Sequence, residues 1–150
     1  MTLAANWGAT PEECALPMAC DALIVDAPVR GHRAVWISAP ASIVFRWLCQ
    51  LKLAPYSYDL LDNLGRRSPR ELVDGVERLE LGQRFMSIFS LASFRPGEHL
   101  TLRSRRVAVT YMVLSGRERT RLLVRLLFEP PGGRLCMTLT GTSCLWVISS

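Results

Sequence analysis

The strongest constraint on the fold is a series of short β-prone segments, separated by brief turn signals, in the second half of the chain. The segments comprise residues 78–81, 83–94, 100–105, 107–114 and 121–128. Gly82, the sequence Arg95-Pro96-Gly97-Glu98 and the pair Ser115-Gly116 supply turn residues between them. Because connections this short join neighbouring antiparallel strands, the sequence predicts an antiparallel meander of four or five strands.

A strand and a helix are predicted upstream of the meander. Residues 33–38 alternate polar side chains with apolar or bulky β-forming ones, as in a strand with one face on a core. Pro40 stands near the start of an amphipathic helix, and Pro55 ends it. The apolar residues at helical spacing are Val44, Trp47, Leu48 and Leu51. A curved antiparallel sheet wrapped around helices would bury both kinds of element, so the predicted fold class is α+β.

Residues 1–31 are interpreted as an extended arm that packs on a domain formed by residues 32–150. The arm contains three prolines and little periodicity, and Trp7, Leu23 and Ile24 are its expected contacts. Residues 1–29 carry four of the 13 acidic residues of the chain and none of the 18 basic residues. The net charge of +5 therefore combines an acidic arm with a basic body.

Length and composition favour a globular protein. The chain has 150 residues, of which 49% are hydrophobic and 21% charged. Its apolar runs are far shorter than the roughly 18 residues that a membrane-spanning helix needs, so no stable membrane anchoring is expected. No basic residue precedes Arg30, which argues against a secretory signal. A cytoplasmic location is therefore expected.

The sequence motifs of metal and cofactor sites are missing. The five cysteines are odd in number and include no C-x-x-C pair, which argues against a disulfide framework and a zinc site. Nucleotide-binding glycine motifs are also missing, so we expect no metal and no cofactor. The basic run Arg103-Ser104-Arg105-Arg106 lacks the interleaved aromatic residues of a single-strand binder. A solvated sheet edge is favoured there, and no nucleic-acid partner is expected.

Two phenols and two carboxylates lie close together after the predicted helix. They are Tyr56, Tyr58, Asp59 and Asp62. Facing a cavity, the carboxylates would be candidate catalytic bases and the phenols candidate ligand contacts at the rim. The alternative, which the sequence favours, is that the carboxylates pair with Arg66, Arg67 or Arg70 and fix the loop against the sheet.

Alternate residues of the predicted strands form apolar stripes, which either pack in a core or line a ligand cavity. Their aromatic members are Phe85, Phe89 and Tyr111. Arg103 and Arg125 stand out because each lies in an apolar strand, and a buried arginine needs a partner. The candidate partners are Asp59, Glu80 and an acidic amphiphilic ligand. The alternative is a solvated position on the outer side of the sheet.

Two stretches resemble the opening strand and helix of the SRPBCC superfamily, Arg33-Ala34-Val35-Trp36-Ile37-Ser38-Ala39-Pro40 and Val44-Phe45-Arg46-Trp47-Leu48-Cys49-Gln50-Leu51. This superfamily includes START lipid-transfer domains, the birch-pollen-allergen fold and the polyketide cyclase/dehydrase family. Further stretches are similar to an uncharacterised bacterial branch: Trp7-Gly8-Ala9-Thr10, Pro55-Tyr56-Ser57-Tyr58-Asp59, residues 62–70 and Gly82-Gln83-Arg84-Phe85-Met86.

The resemblance implies a helix-grip fold, in which an antiparallel sheet curls around a long C-terminal helix and leaves a cavity for a hydrophobic ligand. The expected partner is a lipid-like or polyketide-like small molecule. The expected ligand-binding residues are Trp47, Tyr56, Tyr58, Phe85, Phe89, Arg103, Tyr111 and Arg125. Residues 134–150 depart from the family, because their pattern is β-prone or irregular where relatives have the long helix.

Two alternatives remain open. One is a cyclase or dehydratase of the same fold that uses Asp59 or Asp62 as a base, with a tyrosine or arginine stabilising an enolate. The other is a ligand-free domain in which the altered C-terminus exposes an apolar sheet face, so that the chain associates as a homo-oligomer.

Overall fold

A computed structural model describes residues 5–53, 71–86 and 88–129 of the chain. Its strands are β1 Asn6–Trp7, β2 Val29–Ile37, β3 Arg84–Phe85, β4 Phe89–Arg95, β5 His99–Arg103, β6 Val107–Ser115 and β7 Thr120–Phe128. Its α-helices are α1 Pro11–Ala15 and α2 Ala41–Cys49, and 3-10 turns span Ala19–Ala22 and Gln50–Leu53. The predicted α+β class is confirmed.

The strands form one curved, open sheet in the order β1-β2-β7-β6-β5-β4-β3. Consecutive strands from β3 to β7 are antiparallel neighbours, as the meander prediction requires. β2 pairs with β7 in antiparallel register along its whole length, from Val29 opposite Phe128 to Ile37 opposite Thr120. The short β1 lies parallel to β2, so the sheet is mixed.

Two details of the predicted meander are wrong. Residues 78–81 are not a strand, because this stretch forms local turns: the Arg78 N–H bonds the Gly75 carbonyl, and the Gln83 N–H bonds the Glu80 carbonyl. Residues 83–94 do not form one strand either. Met86 has a positive φ of 46°, and the chain reverses there so that Phe85 of β3 pairs with Phe89 of β4.

The two faces of the sheet are covered by different parts of the chain. On one side, here called the helix face, α2 packs over a core formed by β3 to β6. The fully buried side chains of that core include Phe85, Leu91, Leu100, Leu102 and Val109, and α2 contributes Val44, Phe45, Leu48 and Cys49. On the other side, here called the arm face, Met18, Cys20, Ile24 and Ala27 pack on Ala34, Ala108, Leu123 and Leu127.

The N-terminal segment, residues 5–28, contains more regular structure than its composition suggested. Thr10 caps α1 by accepting a hydrogen bond from the Glu13 N–H, while the Glu13 carboxylate accepts one from the Thr10 N–H. Such a capping box satisfies two backbone donors at a helix start. Of the expected contacts of this segment, Ile24 is buried, Leu23 is half-buried and Trp7 is exposed.

Candidate functional site

Burial along β7 differs sharply between the two faces of the sheet. The residues on the arm face are all buried: Arg121, Leu123, Arg125 and Leu127. Of the alternating residues on the helix face, Thr120 is buried, Leu122, Val124 and Leu126 are half-buried, and Phe128 is exposed. α2 packs mainly on β5 and β6, so the described helix does not extend over β7 and β2. Apolar side chains of β7 and β2 therefore keep accessible surface on the helix face.

A cation and a phenol lie within this apolar surface. Arg33 of β2 pairs with Val124 of β7, and Val124 pairs in turn with Tyr111 of β6. Directly opposed residues project from the same face of a sheet, so the three side chains form a row on the helix face. With strands about 4.8 Å apart, the Arg33 and Tyr111 backbones are about 10 Å apart. All three residues are half-buried.

The two polar members of this row are hydrogen-bond donors at neutral pH. Burial raises the pKa of the Tyr111 phenol, so its proton is retained. The Arg33 guanidinium donates from Nη1 to the adjacent carbonyl of His32 at 2.7 Å, and its planar group carries further N–H donors. Sequence reasoning did not select Arg33 as a site residue. The signal was present, because Arg33 shares strand parity with the apolar Val35 and Ile37.

Arg125 points to the opposite, arm face. Its Nη1 lies 2.6 Å from Asp21 Oδ2, its Nη2 donates to the Cys14 carbonyl at 2.7 Å, and the residue is 2% exposed. The solvated position considered from the sequence is wrong for Arg125, and its partner is an aspartate of the arm that the sequence did not indicate. Ligand binding by Arg125 stays a prediction.

Two more arginines hold the arm on the same face. Arg121 forms a two-pronged contact with Glu13, in which Nε and Nη2 each lie 2.8 Å from a carboxylate oxygen, and Nη2 also donates to the Gly8 carbonyl. Arg103 donates from Nη1 to the Leu23 carbonyl. The acidic arm is thus fastened to the basic sheet by charge-assisted hydrogen bonds, which are stronger than neutral ones.

The predicted aromatic ligand contacts differ in accessibility. Phe85 is completely buried in the helix-face core, whereas Phe89 and Tyr111 are half-buried beside it. Trp47 is 41% exposed on α2. Of the predicted ligand-binding residues that the structure describes, Phe89 and Tyr111 therefore combine partial burial with contact to the helix-face core.

Several predicted residues lie outside the described part of the chain. These are Tyr56, Tyr58, Asp59 and Asp62, together with the whole of residues 134–150. Within the described ranges, no group of three or more His, Cys, Asp or Glu side chains is placed to hold a metal ion. No described helix has the length and apolar character needed to cross a membrane.

A serine and a histidine on neighbouring strands form a contact that sequence spacing did not reveal. Ser93 Oγ lies 3.2 Å from His99 Nε2, and burial lowers the pKa of the imidazole. A nucleophilic triad also needs a third group that orients the imidazole through its other nitrogen. Among residues 5–53, 71–86 and 88–129 no such hydrogen bond to His99 Nδ1 is present, so the pair does not constitute a triad.

Comparisons with known proteins find only weak similarity. No protein-family model and no curated protein matches the chain. A crystal structure of a structural-genomics target from Deinococcus radiodurans is similar, with a TM-score of 0.39 and 21% identity over 67% of this chain and 83% of that one. A conserved protein of unknown function from Enterococcus faecalis has a TM-score of 0.38 and 16% identity over 69% of this chain and 60% of that one. At TM-scores below 0.5, neither likeness establishes a fold family or a function.

Proposed function

We propose that this chain is a helix-grip domain of the SRPBCC type that binds a lipid-like or polyketide-like small molecule on the helix face. The ligand body lies over β7 and β2, and its polar end meets Arg33 and Tyr111. The observation that carries the proposal is the alternation along β7, where every arm-face residue is buried and Leu122, Val124 and Leu126 remain half-buried on the helix face.

Apolar burial supplies most of the binding free energy in this proposal. Each Å² of apolar surface removed from water contributes roughly 25 cal/mol, so a ligand that covers the half-buried side chains of β7 and β2 gains several kcal/mol before ordering costs. A few well-placed polar groups then determine orientation, as is usual in small-molecule sites.

The row across the sheet favours an acidic polar end. A guanidinium binds a carboxylate through parallel N–H bonds, and a protonated phenol donates one further hydrogen bond. The separation of about 10 Å between the Arg33 and Tyr111 backbones leaves room for a carboxylate between the two long side chains, above Val124.

The test is fluorescence titration with dansyl-undecanoic acid, an apolar chain that ends in a carboxylate. Saturable binding is expected, with Arg33→Met weakening it about tenfold through loss of a charge-assisted hydrogen bond. Arg30→Met is the matched control, because Arg30 is an exposed residue of the same strand and the change in charge is identical. Arg30→Met is expected to bind like the wild type.

Two results would overturn the proposal. One is the lack of saturable binding by the wild-type chain, and the other is equal weakening by Arg33→Met and Arg30→Met. Native mass spectrometry of the same samples gives the subunit mass and any co-purified small molecule, so a self-associated, ligand-free chain is detected directly. Catalysis by Asp59 or Asp62 is not included, because both residues lie outside the described part of the chain.

A further inference from the structure

A second candidate site lies on the arm face, next to the part of the sheet that the N-terminal arm covers. An open cleft of about 580 Å³ is formed there by β3, β4 and the turn between β5 and β6. Its described lining consists of Gly82, Arg84, Ile88, Phe89, Ser90, Arg103, Ser104 and Arg105. This lining includes three arginines and two serines and no carboxylate, and its volume lies within the usual range for small-molecule sites.

Strand register explains why the charged residues converge. Arg84 of β3 pairs with Ser90 of β4, and Ser90 pairs with Arg103 of β5. The three residues form a row on one face, and Arg103 is paired next with Ala108, which is buried under the arm. The row therefore lies on the arm face, beside the part of the sheet that the arm covers. Arg84 and Arg103 lie about 10 Å apart at the backbone, with the serine between them.

The turn after β5 adds the third cation. The Ser104 N–H bonds the Val107 carbonyl at 2.8 Å and closes this turn, which brings Arg105 to the edge of the cleft. Arg103 is held in place by its hydrogen bond to the Leu23 carbonyl, so one wall of the cleft is fixed by the arm. Guanidinium groups and serine hydroxyls are the side chains that proteins use to bind oxyanions.

We propose that this cleft binds a phosphoryl group of a small molecule. Three arginines in the lining favour a multiply charged oxyanion over a single carboxylate, since each guanidinium adds attraction to every further negative charge. Ile88, whose side chain is exposed, supplies an apolar border for the rest of the ligand. The proposal is independent of the helix-face site, which lies on the other side of the sheet.

The test is calorimetric titration with inorganic phosphate and pyrophosphate at low salt, with acetate as the singly charged comparison. Saturable binding of pyrophosphate and phosphate is expected, with acetate much weaker. Arg105→Ala is expected to weaken pyrophosphate binding about tenfold. Arg106→Ala is the matched control, because this exposed neighbour makes the same change in net charge but does not line the cleft. It is expected to change affinity less than about twofold.

A second variant, Ser90→Ala, removes a hydroxyl from the row without changing charge. This hydroxyl donates to the Arg103 carbonyl at 3.3 Å and turns to the ligand in the proposal, so the variant is expected to weaken pyrophosphate binding severalfold. Vesicles of phosphatidylcholine with and without phosphatidic acid separate a lipid headgroup from a soluble phosphate as the source of the group. Equal loss in Arg105→Ala and Arg106→Ala would overturn the proposal. So would binding confined to oligonucleotides, because it would indicate a polyanion surface instead of a phosphoryl site.

Discussion

Arg125 and Asp21 are 104 positions apart in the chain, and their side chains meet at 2.6 Å between β7 and the N-terminal arm. The arginine is almost completely buried, whereas the aspartate keeps part of its surface. This ion pair fastens the arm near the centre of its contact with the sheet. It also places a guanidinium that looked like a ligand contact in the sequence on the face opposite α2.

Removing the charge of Asp21 is expected to destabilise the folded chain. Asp21→Asn leaves the buried Arg125 guanidinium without its counter-charge, and the expected loss is about 2 kcal/mol in the free energy of unfolding. Urea unfolding of the wild type and the variant measures it. Glu98→Gln is the control, because the Arg95–Glu98 pair is exposed and its loss is expected to cost less than about 0.5 kcal/mol. Equal effects of the two substitutions would contradict the prediction.

Acid is expected to weaken the attachment of α1. Hydrogen bonding from Arg121 lowers the pKa of Glu13 below its ordinary value of 4.5. A carboxylate with a depressed folded-state pKa contributes stability that is present above its unfolded value and is lost as the pH falls through the folded value. The stability difference between the wild type and Glu13→Gln is therefore expected to be constant at neutral pH and to shrink below pH 4.5.

The Glu13→Gln variant removes the charge and one of the two oxygens that accept from Arg121, while its amide oxygen can still complete the capping box with Thr10. The part of the stability difference that changes with pH therefore reports the charge. Denaturant unfolding at several pH values, from neutral to about pH 3, supplies the comparison. A stability difference that is independent of pH across this range would show that the carboxylate charge contributes nothing to the attachment.

The thiol of Cys49 is expected to resist alkylation in the folded chain. Burial raises the pKa of Cys49 from 9.0 to about 11, and the thiolate is the reactive form. At about pH 8 the thiolate population is therefore about 100-fold lower than that of an ordinary thiol. Iodoacetamide labelling followed by peptide mass spectrometry measures the rate at this residue. Labelling in concentrated urea provides the fully reactive reference, and similar rates in both conditions would contradict the expectation.

The strands were largely predictable and the pairing of charges was not. The β-prone runs 100–105, 107–114 and 121–128, separated by turn signals, identified β5, β6 and β7. Parity also groups residues that share a face. It does not tell which of the two faces a distant segment will cover, so Arg125 could not be assigned to the arm.

The sequence did contain one local signal for the arm. Thr10-Pro11-Glu12-Glu13 fits a capping box with proline at the first helical position, and it corresponds to the start of α1. The contacts of Glu13 with Arg121 could not follow from it, because they depend on tertiary packing over 108 positions. The candidate ligand site could likewise be predicted only in part, because it also depends on contacts between distant parts of the chain. Tyr111 was selected from its stripe. The parity of Arg33 was visible in the sequence, but its position in one row with Tyr111 required the register of β2 on β7.

Gly8 is expected to be essential for the close approach of the arm to β2. Gly8 and Gly97 both have a φ of +77°, but a Cβ on Gly8 would lie 2.4 Å from the Ala34 carbonyl oxygen, whereas a Cβ on Gly97 would meet nothing within 4 Å. Alanine at either position incurs the cost of a left-handed backbone, about 1 kcal/mol. Gly8→Ala must in addition displace backbone, so its unfolding free energy is expected to fall further than that of Gly97→Ala.

The comparison of the two alanine variants separates steric contact from backbone strain. Displacing β1 would also disturb the hydrogen bond from Arg121 to the Gly8 carbonyl, so Gly8→Ala is expected to make the arm more sensitive to limited proteolysis. Gly97→Ala should leave arm cleavage unchanged, because its turn joins β4 to β5 at a distance along the chain from the arm. If both variants lose the same stability and neither exposes the arm, the contact between Gly8 and Ala34 does not hold the arm on the sheet.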